Sequence, residues 1–143
     1  MRPTLDQIML GVAMVLAHRA TCVKRQVGCV LVDSKGRILS TGYNGVASGL
    51  PHCTDTACPG AYSNAGSDTC QAIHAEINAL LQCRDVQAID TCYTTVLPCN
   101  SCMKTLMNTS CKRIVYMDGH ENESFVIGNW RKAGGTVLQL ALN

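Results

Sequence analysis

Two short motifs, His74-Ala75-Glu76 and Pro98-Cys99-Asn100-Ser101-Cys102, oblige this chain to bring two distant segments to one point. One imidazole and two thiolates supply three protein ligands for zinc and leave the fourth position open for water, as a catalytic zinc site requires. Glu76 adds a carboxylate that need not bind the metal and can move protons. Alone, Cys-x-x-Cys is equally compatible with a structural zinc corner or a redox motif, and His-x-Glu says almost nothing. Both motifs in this order, each near a helix start, select the catalytic reading.

The surrounding pattern supports helices at those points. Thr4 and Gln7 form a capping-box signature. Apolar Leu5, Ile8, Met9, Val12, Val15 and Leu16 follow at helical spacing to about Ala17. Residues 27–32 read as a buried strand, Asp33-Ser34-Lys35-Gly36 as a turn and residues 37–43 as the returning strand of a hairpin. Residues 44–69 are rich in Gly, Pro, Ser, Thr and Asn, and a loop that long is usually functional or held by something. Helices are expected over 69–84, 100–108 and 122–133, and strands over 91–96, 113–117 and 136–140. This order, α-β-β-α-β-α-β-α-β, argues for a mixed sheet covered on both faces. Phe125 and Trp130, on the last helix, are expected to pack against that sheet.

The chain has 143 residues, 47% of them hydrophobic and 15% charged, which predicts a single compact domain over 1–143. A formal charge of +2 is too small for a sequence-independent nucleic-acid binder. No run of about 18 apolar residues predicts a membrane span. Residues 1–6 read as a capped helix rather than a secretion signal, so a cytoplasmic location is expected. In that setting ten cysteines argue for metal binding rather than a disulfide scaffold. Cys29, Cys83, Cys92 and Cys111 lie in apolar segments and read as small buried hydrophobes.

The likeness extends beyond the zinc pattern. Thr21 to Gly28, Gly42-Tyr43-Asn44-Gly45, Pro51-His52-Cys53, Ile73 to Leu81 and Tyr93 to Cys102 all resemble blocks of the cytidine and deoxycytidylate deaminase superfamily, and within it the deoxycytidylate (dCMP) deaminase family. The resemblance covers nearly the whole chain. It implies a cytidine deaminase-like three-layer α/β/α sandwich with a five-stranded mixed sheet. It implies His74, Cys99 and Cys102 as catalytic zinc ligands and Glu76 as proton shuttle, with Asn44 on the sugar or phosphate side and the Ala75 backbone holding the pyrimidine. The expected reaction is dCMP to dUMP, feeding thymidylate synthesis. The family also implies a homohexamer activated by dCTP with Mg2+ and inhibited by dTTP. The chain departs from many relatives at Thr94-Thr95-Val96-Leu97 and at Ala47, which bears on dCMP against dCTP preference.

Cys22, Cys53, Cys58 and Cys70 lie in or beside the long polar loop, where four thiolates can close a structural zinc site. Such a site supplies folding free energy directly. His52 is an alternative ligand. Lys24 and Arg25, ahead of the first strand, can neutralise a nucleotide phosphate, Arg by a bidentate contact, or serve as ordinary surface charge. His18 and His120 show no partner pattern and read as surface or core-edge residues. Competing functions are deamination of dCTP, another cytosine nucleotide or nucleoside, a guanine-type ring or a tRNA adenosine, and a zinc-stabilised binding module without catalysis. Glu76 argues against the last of these, since a purely structural site has no use for a non-ligand carboxylate.

Overall fold

The computed structural model describes residues 1–22, 25–56 and 71–142. The first helix, α1 (Leu5–Ala17), opens on the expected capping box. The Gln7 N–H donates to Thr4 Oγ1 at 3.1 Å, and the Thr4 N–H donates to Gln7 Oε1 at 2.8 Å. A hairpin of β1 (Gly28–Val32) and β2 (Ile38–Tyr43) follows. Two-residue strands β3 (Gly45–Val46) and β4 (Ala72–Ile73) then pair antiparallel. The rest of the chain runs through α2 (Ala75–Gln82), a 3-10 turn (Val86–Ala88), β5 (Thr91–Val96), α3 (Asn100–Met107), β6 (Arg113–Asp118), α4 (Glu123–Lys132) and β7 (Thr136–Gln139).

The main sheet has the order β2-β1-β5-β6-β7. β1 is antiparallel to both β2 and β5, whereas β5, β6 and β7 run parallel. The strand alternation sorts side chains to two faces. Val30, Val32, Tyr93 and Val115 pack with Leu10 and Ala13 of α1 on one face. Cys29, Leu31, Cys92, Ile114 and Tyr116 pack on the other with Ala79 of α2, Met103 and Leu106 of α3, and Val126 and Trp130 of α4. The molecule is thus a three-layer α/β/α arrangement with a five-stranded mixed sheet, α1 on one side and α2, α3 and α4 on the other. Among the described residues no helix is long and apolar enough to cross a membrane.

Two glycines set how closely the helices approach the sheet. A Cβ on Gly28 would lie 1.8 Å from the Ala13 carbonyl oxygen of α1. One on Gly42 would lie 2.4 Å from the Ala75 carbonyl oxygen of α2. The sheet therefore touches α1 and α2 backbone to backbone, and only a missing side chain allows it. The closeness of α1 also decides which of its residues are buried. Leu10, Ala13 and Ala17 face the sheet, while Leu5, Ile8 and Val15, expected on the apolar face, are exposed.

Three other expectations are corrected. The second helix does not run from residue 69; it begins at Ala75, because Ala72 and Ile73 are drawn into β4 by pairing with Val46 and Gly45. Phe125 is 62% exposed, whereas Trp130 is buried and its indole N–H donates to the Thr136 carbonyl at 2.9 Å. Cys83 is half-buried, unlike Cys29, Cys92 and Cys111.

In the first turn of α1, Asp6 ties down the sheet. It accepts from Tyr93 Oη at 2.6 Å and Arg113 Nη1 at 2.8 Å. The Arg113 hydrogen bond, more than any other influence, holds the Asp6 carboxyl below its ordinary value. Its contribution to stability is in place above the ordinary carboxylate range and is lost as acid protonates the folded group.

Gly28→Ala is expected to lower unfolding stability by about 3 kcal/mol, the upper end for overpacking against fixed backbone. Gly11→Ala, on an open stretch of α1 where a Cβ meets nothing within 4 Å, should stabilise by up to about 1 kcal/mol. Denaturant midpoints check both; equal midpoints for the two variants would contradict the close-contact account.

Candidate functional site

The sheet changes from antiparallel to parallel pairing at β5. Beyond the carboxyl ends of β5 and β6 lies a cleft, as expected for an open α/β sheet. It has a volume of about 340 Å³ and is walled by residues from several segments, among them Arg25, Asn44, His74, Glu76, Cys99 and His120. That volume lies within the range of small-ligand pockets.

Local folding brings the three candidate metal ligands there. His74 is the N-cap of α2, with extended backbone and a side chain that makes no capping bond, so its ring is free to turn outward. Cys99 is likewise the N-cap of α3, and Cys102 lies in that helix's first turn, buried at 2% exposure. His74 Nδ1 lies 3.3 Å from Cys102 Sγ and 3.5 Å from Cys99 Sγ. The three donor atoms all fall within 4.8 Å of one another. Tetrahedral zinc with ordinary Zn–N and Zn–S bonds requires N to S separations of about 3.6 Å. The residues therefore fit zinc, with Nδ1 as the histidine ligand.

The charge balance also suits a dication. The neighbouring Cys102 thiol holds Cys99 well below the usual thiol range, with His74 reinforcing the effect. The nearness of Cys99, with burial, pushes Cys102 in the opposite direction. The hydrogen bond to Cys99 raises His74. Glu76, in the first turn of α2 and 4% exposed, has its carboxyl pushed up to about 7, chiefly by desolvation. A bound cation would relieve this crowding of potential negative charge.

A second set of bonds positions α2. Asn78 Nδ2 donates to the Tyr43 carbonyl at 2.8 Å, and Ser40 Oγ donates to the Ala79 carbonyl at 2.8 Å. The β3–β4 pair sets Gly45 opposite Ile73, so Asn44 and His74 flank a paired rung. Asn44 is buried. Its Oδ1 accepts from Val27 N–H at 2.7 Å and its Nδ2 donates to the Arg25 carbonyl at 2.6 Å. Each end of the amide keeps one further hydrogen-bonding position. No described non-glycine residue has positive φ, so Asn44 is not a left-handed turn residue.

Arg25 and the buried Ala75 also line the cleft. Cys22 and Cys53 are both buried, and their neighbours are joined by a hydrogen bond from Thr54 N–H to the Thr21 carbonyl at 3.1 Å. Cys58, Cys70 and Lys24 lie outside the described residues. His52 is exposed.

Two wall residues are not singled out by the sequence pattern. His120 is hydrogen-bonded at both ring nitrogens, to the Pro98 carbonyl and to Asn122 N–H. Asn100 Oδ1 is buried without a hydrogen-bond partner. That is a cost of about 1–3 kcal/mol which a bound donor would offset. For Asn100 a signal exists, inside the Cys-x-x-Cys motif itself; for His120 nothing in the local sequence marks it.

Comparison with known proteins agrees with this geometry. The family described as the cytidine and deoxycytidylate deaminase zinc-binding region matches residues 3–118. A deoxycytidylate deaminase of Saccharomyces cerevisiae is 36% identical over 147 residues, which take in 99% of this chain but 46% of that protein. The chain thus spans about half the length of that relative. A deoxycytidylate deaminase of Mycobacterium phage D29 is 37% identical over 125 residues, covering 80% of this chain and 95% of the phage protein. The dCMP deaminase of cyanophage S-TIM5, solved with dCMP and dUMP, superposes with a TM-score of 0.78 at 23% identity over 98% of this chain and 99% of that one, a likeness of fold.

Proposed function

The chain belongs to the cytidine and deoxycytidylate deaminase family, and from that premise we propose that it hydrolyses dCMP to dUMP and ammonia. The observation that carries this reading is the convergence of His74 Nδ1, Cys99 Sγ and Cys102 Sγ beside a buried carboxylate that is not needed as a ligand. Zinc held by these three residues supplies the Lewis acidity that brings a water's ionisation toward neutral pH.

Glu76 then carries the protons. Its carboxylate takes one from the attacking water and delivers it to ring N3 as the oxygen adds at C4. It then takes the proton of the new C4 hydroxyl and passes it to the departing amine as the C4 carbonyl forms and the C4–N bond breaks, so water is consumed and ammonia leaves. Burial raises the Glu76 carboxyl while a neighbouring dication would favour its ionised form, and these opposed influences suit a group that both takes and gives a proton. The Ala75 backbone holds the pyrimidine, and the spare positions on the Asn44 amide serve the sugar or phosphate side. Arg25, with Lys24 beside it in sequence, pairs with the 5′-phosphate. The deoxycytidylate deaminases among its relatives support a nucleotide over a free nucleoside.

The same reading includes a second, structural zinc on Cys22, Cys53, Cys58 and Cys70, with His52 as the alternative ligand. It includes a cytoplasmic homohexamer, activated by dCTP with Mg2+ and inhibited by dTTP, that feeds thymidylate synthesis. Family membership supports these properties, and the burial of Cys22 and Cys53 supports the second metal site.

Glu76→Gln should keep zinc but lose at least about 100-fold in rate, the lower end for general acid–base catalysis; near-normal turnover would contradict the shuttle. Chromatography of reactions with cytidine, dCMP and dCTP, with and without dCTP or dTTP as effector, should show dCMP as the preferred substrate and a dCTP-dependent rise in its turnover. Equal turnover of cytidine and dCMP would defeat phosphate recognition. Metal analysis of the fully loaded subunit should give two zinc ions, and a single ion would remove the structural site.

A further inference from the structure

The N-cap cysteine of α3 follows the short connection Leu97-Pro98 that leaves β5. Cys99 makes no side-chain capping bond that would orient it. Three backbone groups tie this corner down. Leu97 N–H donates to the Asp118 carbonyl at 2.8 Å, and Met103 N–H donates to the Cys99 carbonyl at 2.9 Å. The third is Pro98. Proline has no N–H, so its carbonyl is the only backbone polar group with which that residue can be anchored. Its partner is His120 Nε2 at 3.2 Å.

The other ring nitrogen settles the tautomer. His120 Nδ1 faces the N–H of Asn122 at 3.1 Å and must accept from it. Nε2 therefore carries the proton and donates to Pro98. The imidazole is a two-point clamp. One end holds the N-cap of α4, Asn122, which has no side-chain capping bond of its own. The other holds the residue before the first zinc-ligating cysteine. The ring also forms part of the cleft wall.

We propose that His120 is a positioning residue for the metal centre, acting through the Pro98 carbonyl to fix the direction of Cys99 Sγ. It neither ligates zinc nor moves a proton in the reaction. Outer partners of metal ligands typically contribute 10–100-fold in metal affinity or activity. The inference rests on the zinc-deaminase reading above, and its test separates the two.

The experiment uses the full chain, wild type and with His120→Ala or His120→Gln, loaded with Zn2+ or Co2+. Gln offers an amide N–H where Nε2–H stood, so it keeps the Pro98 bond and gives up the Asn122 one. His120→Ala is expected to lose zinc to a chelator with about 10–100-fold weaker affinity and to lower kcat with KM nearly unchanged. Its Co2+ complex should show altered visible absorption bands, which report the ligand field directly. His120→Gln should recover most of the affinity and the wild-type spectrum. A wild-type spectrum and metal affinity in His120→Ala would overturn the proposal, even with a lowered melting temperature, because that is the signature of a merely structural residue. A raised KM at unchanged kcat would also overturn it, by making His120 a substrate contact. Failure of the wild-type chain to bind zinc or deaminate would instead sink the underlying reading.

Discussion

Two helices, α2 and α3, begin at the same point in space, and the chemistry of the cleft depends on that coincidence. Each start contributes an N-cap side chain that is not spent on capping: His74 on α2 and Cys99 on α3. Helix N-termini also favour negative charge, which suits thiolates and a carboxylate crowded into partly buried space. The positions of the two starts are over-determined by backbone packing. Gly42 lets α2 press its first turn onto β2, and the parallel pairing of β5 with β6 sends α3 away from the same edge of the sheet.

The small β3–β4 pair is the less obvious support. It joins the residue after Asn44 to the residue before His74. Through it, the segment that clamps Val27 and Arg25 is braced directly against His74, the first of the candidate metal ligands. Cleft wall and candidate metal ligands thus share one scaffold, and a shift of either would move the other. Glu76 is buried in the first turn of α2, the turn whose Ala75 backbone approaches Gly42 of β2.

Elements with strong periodic signals are legible in the residues alone. The capping box at Thr4, the strand over 91–96 and the helix starting at Asn100 all stand where the residue pattern puts them. β4 is not legible, because a two-residue strand carries no period and Ala72 and Ile73 suit a helix equally well. Phe125 is exposed against expectation because periodicity on α4 does not say which apolar residue meets the sheet, and it is Trp130 that turns inward. At the site, His74, Glu76, Cys99 and Cys102 are readable because metal chemistry demands those residue types at close spacing. His120 is not, since its partners are backbone groups, one of them at Pro98 on a different strand exit.

Residue chemistry and local spacing were enough to pick out the His74, Cys99 and Cys102 cluster that the fold brings together, the buried Glu76 beside it and the alternation of strands and helices, because each depends on side-chain type within one or two helical turns. Distances between segments were beyond their reach. That Nδ1 rather than Nε2 faces the sulfurs, that Asn44 spends half its amide on Val27 and Arg25, and that a histidine from the β6–α4 loop anchors Pro98 all arise from packing contacts between residues far apart in the chain, which no local pattern encodes.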